Sequence, residues 1–207
     1  MNKFLLLSLL SFPLFFNACN IERYDTGVQS IAILPFEDIK NDDIESIRIS
    51  IEKFYGYDVT VLPIVKNPKH AYNSADESYD AKKVLTTIFN KKEKTIHFNQ
   101  VIGLINAPIK KSNSKKTINY PMITKSNRRN NISVISIYSI NNTNLYPSQN
   151  RDRLKKIALR EIGDLLGLRH CKANNQCLMN KFDKNTGNLN KVKTKLCGKC
   201  AKKLGWK

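Results

Sequence analysis

Apolar residues along this chain gather into runs of two kinds. "SIAILPF" (residues 30–36), "YDVTVLPIV" (57–65) and "NQVIGLINAPI" (99–109) are compact, rich in β-branched residues and bounded by turn formers, the pattern of buried strands. Between them the period lengthens. In "NDDIESIRISIEKFYG" Ile44, Ile47, Ile51 and Phe54 recur at helical spacing, Asn41 or Asp42 is placed to cap, acidic residues fill the first turn, and Gly56 stops the helix. "SADESYDAKKVLTTIFN" (74–90) reads as a second helix with Ala81, Val84, Leu85 and Ile88 on one side. Strand, helix, strand, helix, strand predicts a parallel βαβ core of the α/β class.

The pattern then lapses. The basic, polar stretch from Lys110 to Asn131 reads as a surface excursion. "ISVISIYSI" (132–140) is a further strand, "NNTNLYPSQN" a loop, and from about Arg151 a helix begins whose Leu154, Ile157, Ala158, Ile162, Leu165 and Leu166 form one core-facing stripe. Gly167 is placed for a left-handed cap that turns the chain so that His170 faces back toward the helix.

The N-terminus stands outside this frame. "MNKFLLLSLLSFPLFFNAC" has one basic residue, Lys3, then an apolar run too short to span a bilayer comfortably, then Asn17-Ala18-Cys19. Residues 1–18 read as an export signal, and a cysteine after a small residue at its end resembles a bacterial lipobox, which makes Cys19 the candidate lipidation site. An ordinary cleaved signal with an incidental Cys19 is the alternative. On the lipobox reading residues 19–29 are a tether, residues 30–207 one exported domain, and the membrane a partner through the lipid anchor. A length of 207 residues suits one substantial core. The net charge is +18, but the basic residues are scattered through loops without interleaved aromatics, so no nucleic-acid partner is expected. The domain is expected to be a monomer.

Chemistry concentrates in "ALREIGDLLGLRHC" (158–171). Glu161, Gly167 and His170 stand where an HExxHxxGxxH zinc-protease motif has its glutamate, its glycine and its third histidine, whereas Arg160 and Asp164 occupy the first two histidine positions. In the intact motif two histidines one turn apart ligate zinc while the glutamate acts as general base to the metal-bound water. A guanidinium has no lone pair to offer. Asp164 and His170 remain possible ligands, with Glu161 as a recruit; in the opposing reading Arg160 and Asp164, at i and i+4, form an ion pair that replaces the metal. His70 and His97 are the remaining histidines, and both read as surface residues.

The most specific signal follows directly: Cys171, Cys177, Met179, Cys197 and Cys200, the last two a CxxC. Two close pairs suit a closed tetrahedral zinc site, and two disulfides are the alternative in an exported protein. The pattern HExxHxxGxxHC, a short gap, CxM and a distant CxxC resembles the archaemetzincins, a metzincin-like family of zinc metallopeptidases. The interval from Met179 to Cys197 is the family's, and the gap "KANNQ" is one residue longer than usual.

That resemblance implies a metzincin-like zincin fold: a mixed, mostly parallel sheet with an antiparallel edge strand, an active-site helix and a Cys-rich C-terminal part (171–207). It makes "ISVISIYSI" similar to the edge strand of the cleft. Cys171, Cys177, Cys197 and Cys200 look like the structural zinc ligands, Met179 like the methionine of the turn beneath the catalytic metal, Glu161 like the general base and His170 like the third catalytic ligand. Arg160 and Asp164 match ligand positions in place and not in chemistry. The expectation is a lipoprotein with one structural zinc, no competent catalytic zinc, and a peptide or protein ligand. A peptidase using a non-standard ligand set is the competing expectation.

Overall fold

The computed structural model describes residues 30–95, 98–111, 122–141, 146–181 and 187–206. The export segment, Cys19, the tether and His97 lie outside these residues.

The main sheet has five strands: β1 (Ser30–Pro35), β2 (Asp58–Val61), β5 (Gln100–Ile105), β7 (Thr124–Asn127) and β8 (Ile132–Ser136), in the order β2-β1-β5-β8-β7. Every pairing is parallel except β7 with β8, so the sheet is mixed, mostly parallel, with an antiparallel strand at its end. Helices cover both faces. α1 (Asn41–Tyr55) and α4 (Pro147–Leu165) bury Ile44, Ile47, Ile51, Leu154, Ile157 and Ile162 against Ile31, Ile33, Ile102, Leu104 and Ile135. α2 (Ala81–Lys94) packs Val84, Leu85 and Ile88 on the alternate residues Ala32, Leu34, Val101 and Val134 of the opposite face. Side chains alternate across a strand, so strands buried on both sides read as unbroken apolar runs. The α2 layer sits close: a Cβ on Gly103 of β5 would lie 2.3 Å from Ile88 Cδ1.

A smaller sheet joins β3 (Tyr72–Asn73), β4 (Ser78–Asp80) and β6 (Ile109–Lys110). β4 takes residues expected in the second helix. That helix starts only at Ala81, because the Asp80 side chain accepts hydrogen bonds from the backbone N–H of Lys82 and Lys83 at 2.8 and 3.0 Å and fixes the start there. At α1 neither expected cap serves: Lys40 is the N-cap and caps with no side chain, while Asp42 and Asp43 lie in the first turn and Gly56 closes the helix at φ 70°. α4 begins at Pro147, earlier than the apolar stripe suggested, since proline at the first helical position loses no hydrogen bond.

Two corrections concern the cleft side of the sheet. "ISVISIYSI" is not an edge strand; β8 lies inside the sheet between β5 and β7, and the run ends in a short helix, α3 (Tyr138–Asn141). The edge is β7, "TKSN", drawn from the stretch read as a surface excursion. With no apolar residue in it, β7 carries no period-2 signal.

Candidate functional site

α4 carries the motif along the face that meets β7 and β8. Glu161 is 2% exposed, and its Oε2 accepts hydrogen bonds from Ser126 Oγ at 2.6 Å and Ser133 Oγ at 2.7 Å. The two serines are cross-strand partners on β7 and β8. The pairing explains why both reach one oxygen. Ser136 N donates to Ile123 O at 2.8 Å, so alternation along an antiparallel ladder makes Ser126–Ser133 a non-hydrogen-bonded pair, the kind whose side chains stand closest. The other carboxylate oxygen, Oε1, faces Arg160 Nη1 at 3.6 Å.

Asp164 is held from outside the motif. Arg128, just past the end of β7, grips it through two N–H groups: Nε reaches Oδ2 at 2.9 Å and Nη2 meets Oδ1. Arg160 lies beside Glu161 and His170, and the Asp164 charge acts on it as well, so the pair expected of Arg160 and Asp164 gains Arg128 as a further member. Arg128 and Arg160 balance Glu161 and Asp164, so the quartet carries no net charge.

Gly167, at φ +91°, breaks α4 in the left-handed region, and Leu168 N closes the turn on Gly163 O at 2.8 Å. His170 is thereby brought back to the helix, with Nδ1 at 2.8 Å from Arg160 Nη2. A guanidinium only donates, so Nδ1 accepts and the neutral ring carries its proton on Nε2. Burial holds the His170 pKa below its ordinary value, and the Arg160 charge adds to this. Burial also lowers the pKa of Arg160, against the pull of Glu161 and Asp164.

These donors do not fit a catalytic zinc. One ligand position is a cation, a second is a carboxylate already bound bidentately, and the third is an imidazole with one nitrogen accepting and the other protonated. The glutamate is spent on two serines and an arginine.

Beneath the helix, Met179 packs against it at Gly163. A Cβ on Gly163 would lie 2.7 Å from Met179 Sδ and 2.9 Å from the Tyr55 hydroxyl, so only glycine allows this approach. The Tyr55 hydroxyl donates to Leu159 O at 2.7 Å and ties α1 to α4. Trp206 packs on Phe54 and Tyr55, with both ring centroids at 5.7 Å, and pins the C-terminal segment to the same place.

The cysteines are brought together fully. Cys171, Cys177, Cys197 and Cys200 are free thiols whose Sγ atoms all lie within 4.8 Å of one another, with Cys171 and Cys197 at 3.6 Å. Four sulfurs at ~2.3 Å from one zinc stand roughly 3.8 Å apart, so the cluster has the size of a metal site and can hold one. Cys200 N and Ala201 N both bond Cys197 O at 2.9 Å, which folds the CxxC into the first turn of α5 (Gly198–Lys203). Burial pushes the Cys200 thiol up. At Cys197 burial also raises the pKa, but hydrogen bonds from the Cys200 backbone and the neighbouring thiols outweigh it and hold the thiol down to about 7. Burial pushes the Cys177 thiol up as well, so within the cluster it is Cys197 that favours the thiolate, the form that binds metal.

His70 is not part of either site. It lies in the turn Lys69–Ala71 beside α2, with Nε2 at 3.5 Å from Thr87 Oγ1. Sequence reasoning missed Ser126, Ser133 and Arg128. A serine inside the apolar run of β8 was the available signal for Ser133, since a buried hydroxyl requires a partner. Nothing in the sequence pointed to Arg128.

A mixed sheet sandwiched by helices, a long helix closed by a left-handed glycine, a methionine beneath it and a four-cysteine cluster behind define the zinc-peptidase architecture of the metzincin type. The comparisons make this specific: Peptidase family M54 matches residues 36–205, and the chain belongs to that family, the archaemetzincins. Among solved structures it is similar to archaemetzincin from Archaeoglobus fulgidus complexed with malonate, at 22% identity and TM-score 0.67, covering 84% of this chain and 99% of that one. It is also similar to a zinc-dependent peptidase from Methanocorpusculum labreanum (17% identity, TM-score 0.71, 84% and 99% covered). A third is archaemetzincin from Methanopyrus kandleri (18%, 0.70, 89% and 97%). At these identities the likeness speaks for the fold. No curated protein matches the chain.

Proposed function

We propose that this chain is a catalytically silent archaemetzincin, an exported lipoprotein that keeps one structural zinc on its four cysteines and binds extended peptide. The observation that carries the reading is the 2.8 Å contact of Arg160 Nη2 with His170 Nδ1. It takes the one imidazole of the motif out of metal ligation, and it does so with the residue that stands at the first ligand position. Cys171, Cys177, Cys197 and Cys200 hold the zinc, whose contribution is to fold residues 171–206 and not to react.

The peptide lies along β7 by strand addition. β7 ends the sheet among the described residues, and the ladder register directs the backbone N–H and C=O of Thr124 and Ser126 away from β8. Thr124→Pro removes one outward donor and no ladder bond, so it is expected to weaken peptide binding with the fold kept. Equal binding by this variant counts against strand addition.

Activity is tested by incubating the purified chain with unstructured peptides, with and without a chelator. No cleavage is expected. Chelator-sensitive cleavage that disappears in Glu161→Gln would instead establish a peptidase using Asp164, His170 and a further ligand. Lipidation at Cys19 is tested by the mass of the mature chain, which carries acyl groups on an N-terminal cysteine if the reading holds.

A further inference from the structure

We propose that the cleft beside the cysteine cluster is a binding site for a phosphate-bearing anion. The cleft has a volume of about 180 Å³ and is walled by Arg169, Lys172, Lys199 and Lys203, with no carboxylate among its lining residues. Taking ~30 Å³ as the share of one water in the liquid, this is room for a phosphate group with part of its hydration, and too little for a nucleic-acid strand.

Two observations point to a built site and not to the general basicity of the chain. First, the four cations come from two segments, the stretch after α4 and the helix α5, yet face one concavity. Second, the two walls are fixed to each other. Cys171 and Cys200 also line the cleft, one from each segment, and their sulfurs belong to the same four-thiol cluster. Four cations around one hollow outnumber the net negative charge of a zinc tetrathiolate in its wall, so the potential there stays positive and an anion relieves it.

His170 lines the same cleft and adds a neutral donor. Because its Nδ1 accepts from Arg160, the ring carries an N–H at Nε2. Cationic heads plus a neutral N–H is the donor set suited to a phosphate, which offers several acceptor oxygens. The ligand is a soluble phosphate ester or the headgroup of an anionic lipid. The inference stands apart from the reading of the α4 site, since it needs only the charge and geometry around the cysteines.

Binding of inorganic pyrophosphate to the full chain is measured by calorimetry. Lys199→Glu/Lys203→Glu is expected to weaken it at least about ten-fold. Lys82→Glu/Lys91→Glu, on the exposed side of α2, makes the same change in net charge and is expected to shift it less than about two-fold, remote charges being screened. Metal content of each variant reports whether the cluster survives; if α5 is disturbed, Arg169→Glu/Lys172→Glu makes the same test from the other wall. Sedimentation with phosphatidylcholine vesicles, with and without phosphatidylglycerol, then distinguishes the sources, since any anchor contributes equally to both. A preference for phosphatidylglycerol that the cleft variant loses assigns a headgroup, and pyrophosphate binding without that preference assigns a soluble ester. Neither binding, or equal weakening by the cleft and α2 variants, would overturn the proposal.

Discussion

His170 and Cys171 are neighbours in the chain, and they belong to two clusters of different chemistry. On one side, the α4 face holds its helix, its left-handed glycine and the methionine packed against Gly163, but a guanidinium and an aspartate stand at two ligand positions. On the other side, four thiols remain clustered within 4.8 Å. The difference follows from what each metal does for the fold. A zinc on the four thiols would tie Cys171 and Cys177 to Cys197 and Cys200, so losing one ligand there would cost the folded state. A catalytic zinc sits at the surface of a core that is already closed. Its ligands can change, provided their charges are met, and here Arg128 and Arg160 meet those of Asp164 and Glu161.

The comparison breaks if substitutions at the two sites behave alike. The largest effect belongs to the cluster: Cys177→Ser is expected to lose the bound metal and to leave residues 171–206 unprotected in hydrogen exchange. Structural zinc contributes about 10 kcal/mol or more in small zinc-binding peptides. Retained metal and unchanged protection would place the stability of that segment in its packing alone.

Glu161→Ala comes next. Glu161 is buried, and removing it strands two serine hydroxyls and leaves Arg160 beside a lost partner, so the expected cost is about 3–5 kcal/mol in urea unfolding. A neutral or stabilising result would mean that this carboxylate is kept for reaction and not for structure.

Asp164→Asn is the smallest. Arg128 is 41% exposed, so its pairing with Asp164 is expected to contribute only about 0.2–1 kcal/mol, and less at high salt. A larger, salt-independent loss would show that Asp164 is bound to more than Arg128.

What could be read from the sequence depended on whether a residue's neighbours were local. Ile31 and Ile33 against Ala32 and Leu34 reveal a strand buried on both faces, and Gly167 and the cysteine spacing announce their geometry within a few residues. β7 was illegible because Thr124, Lys125, Ser126 and Asn127 are polar, and a sheet edge next to a helix needs backbone pairing more than apolar side chains. The partner of Asp164 was illegible for the same reason. Arg128 reaches it only because β7 runs antiparallel to β8, and pairwise helix rules favoured Arg160. The fold and the grouping of the four cysteines were accessible; the contact of Arg128 with Asp164 was a product of the tertiary structure.

Metal stoichiometry of the purified chain, by intact-mass measurement under native conditions with zinc supplied, tests the central claim most directly. One zinc per chain, lost when Cys177 or Cys200 is replaced and unaffected by His170→Ala, is the result expected. Two zinc ions per chain, one of them released by His170→Ala, would contradict it and restore the α4 face as a metal centre.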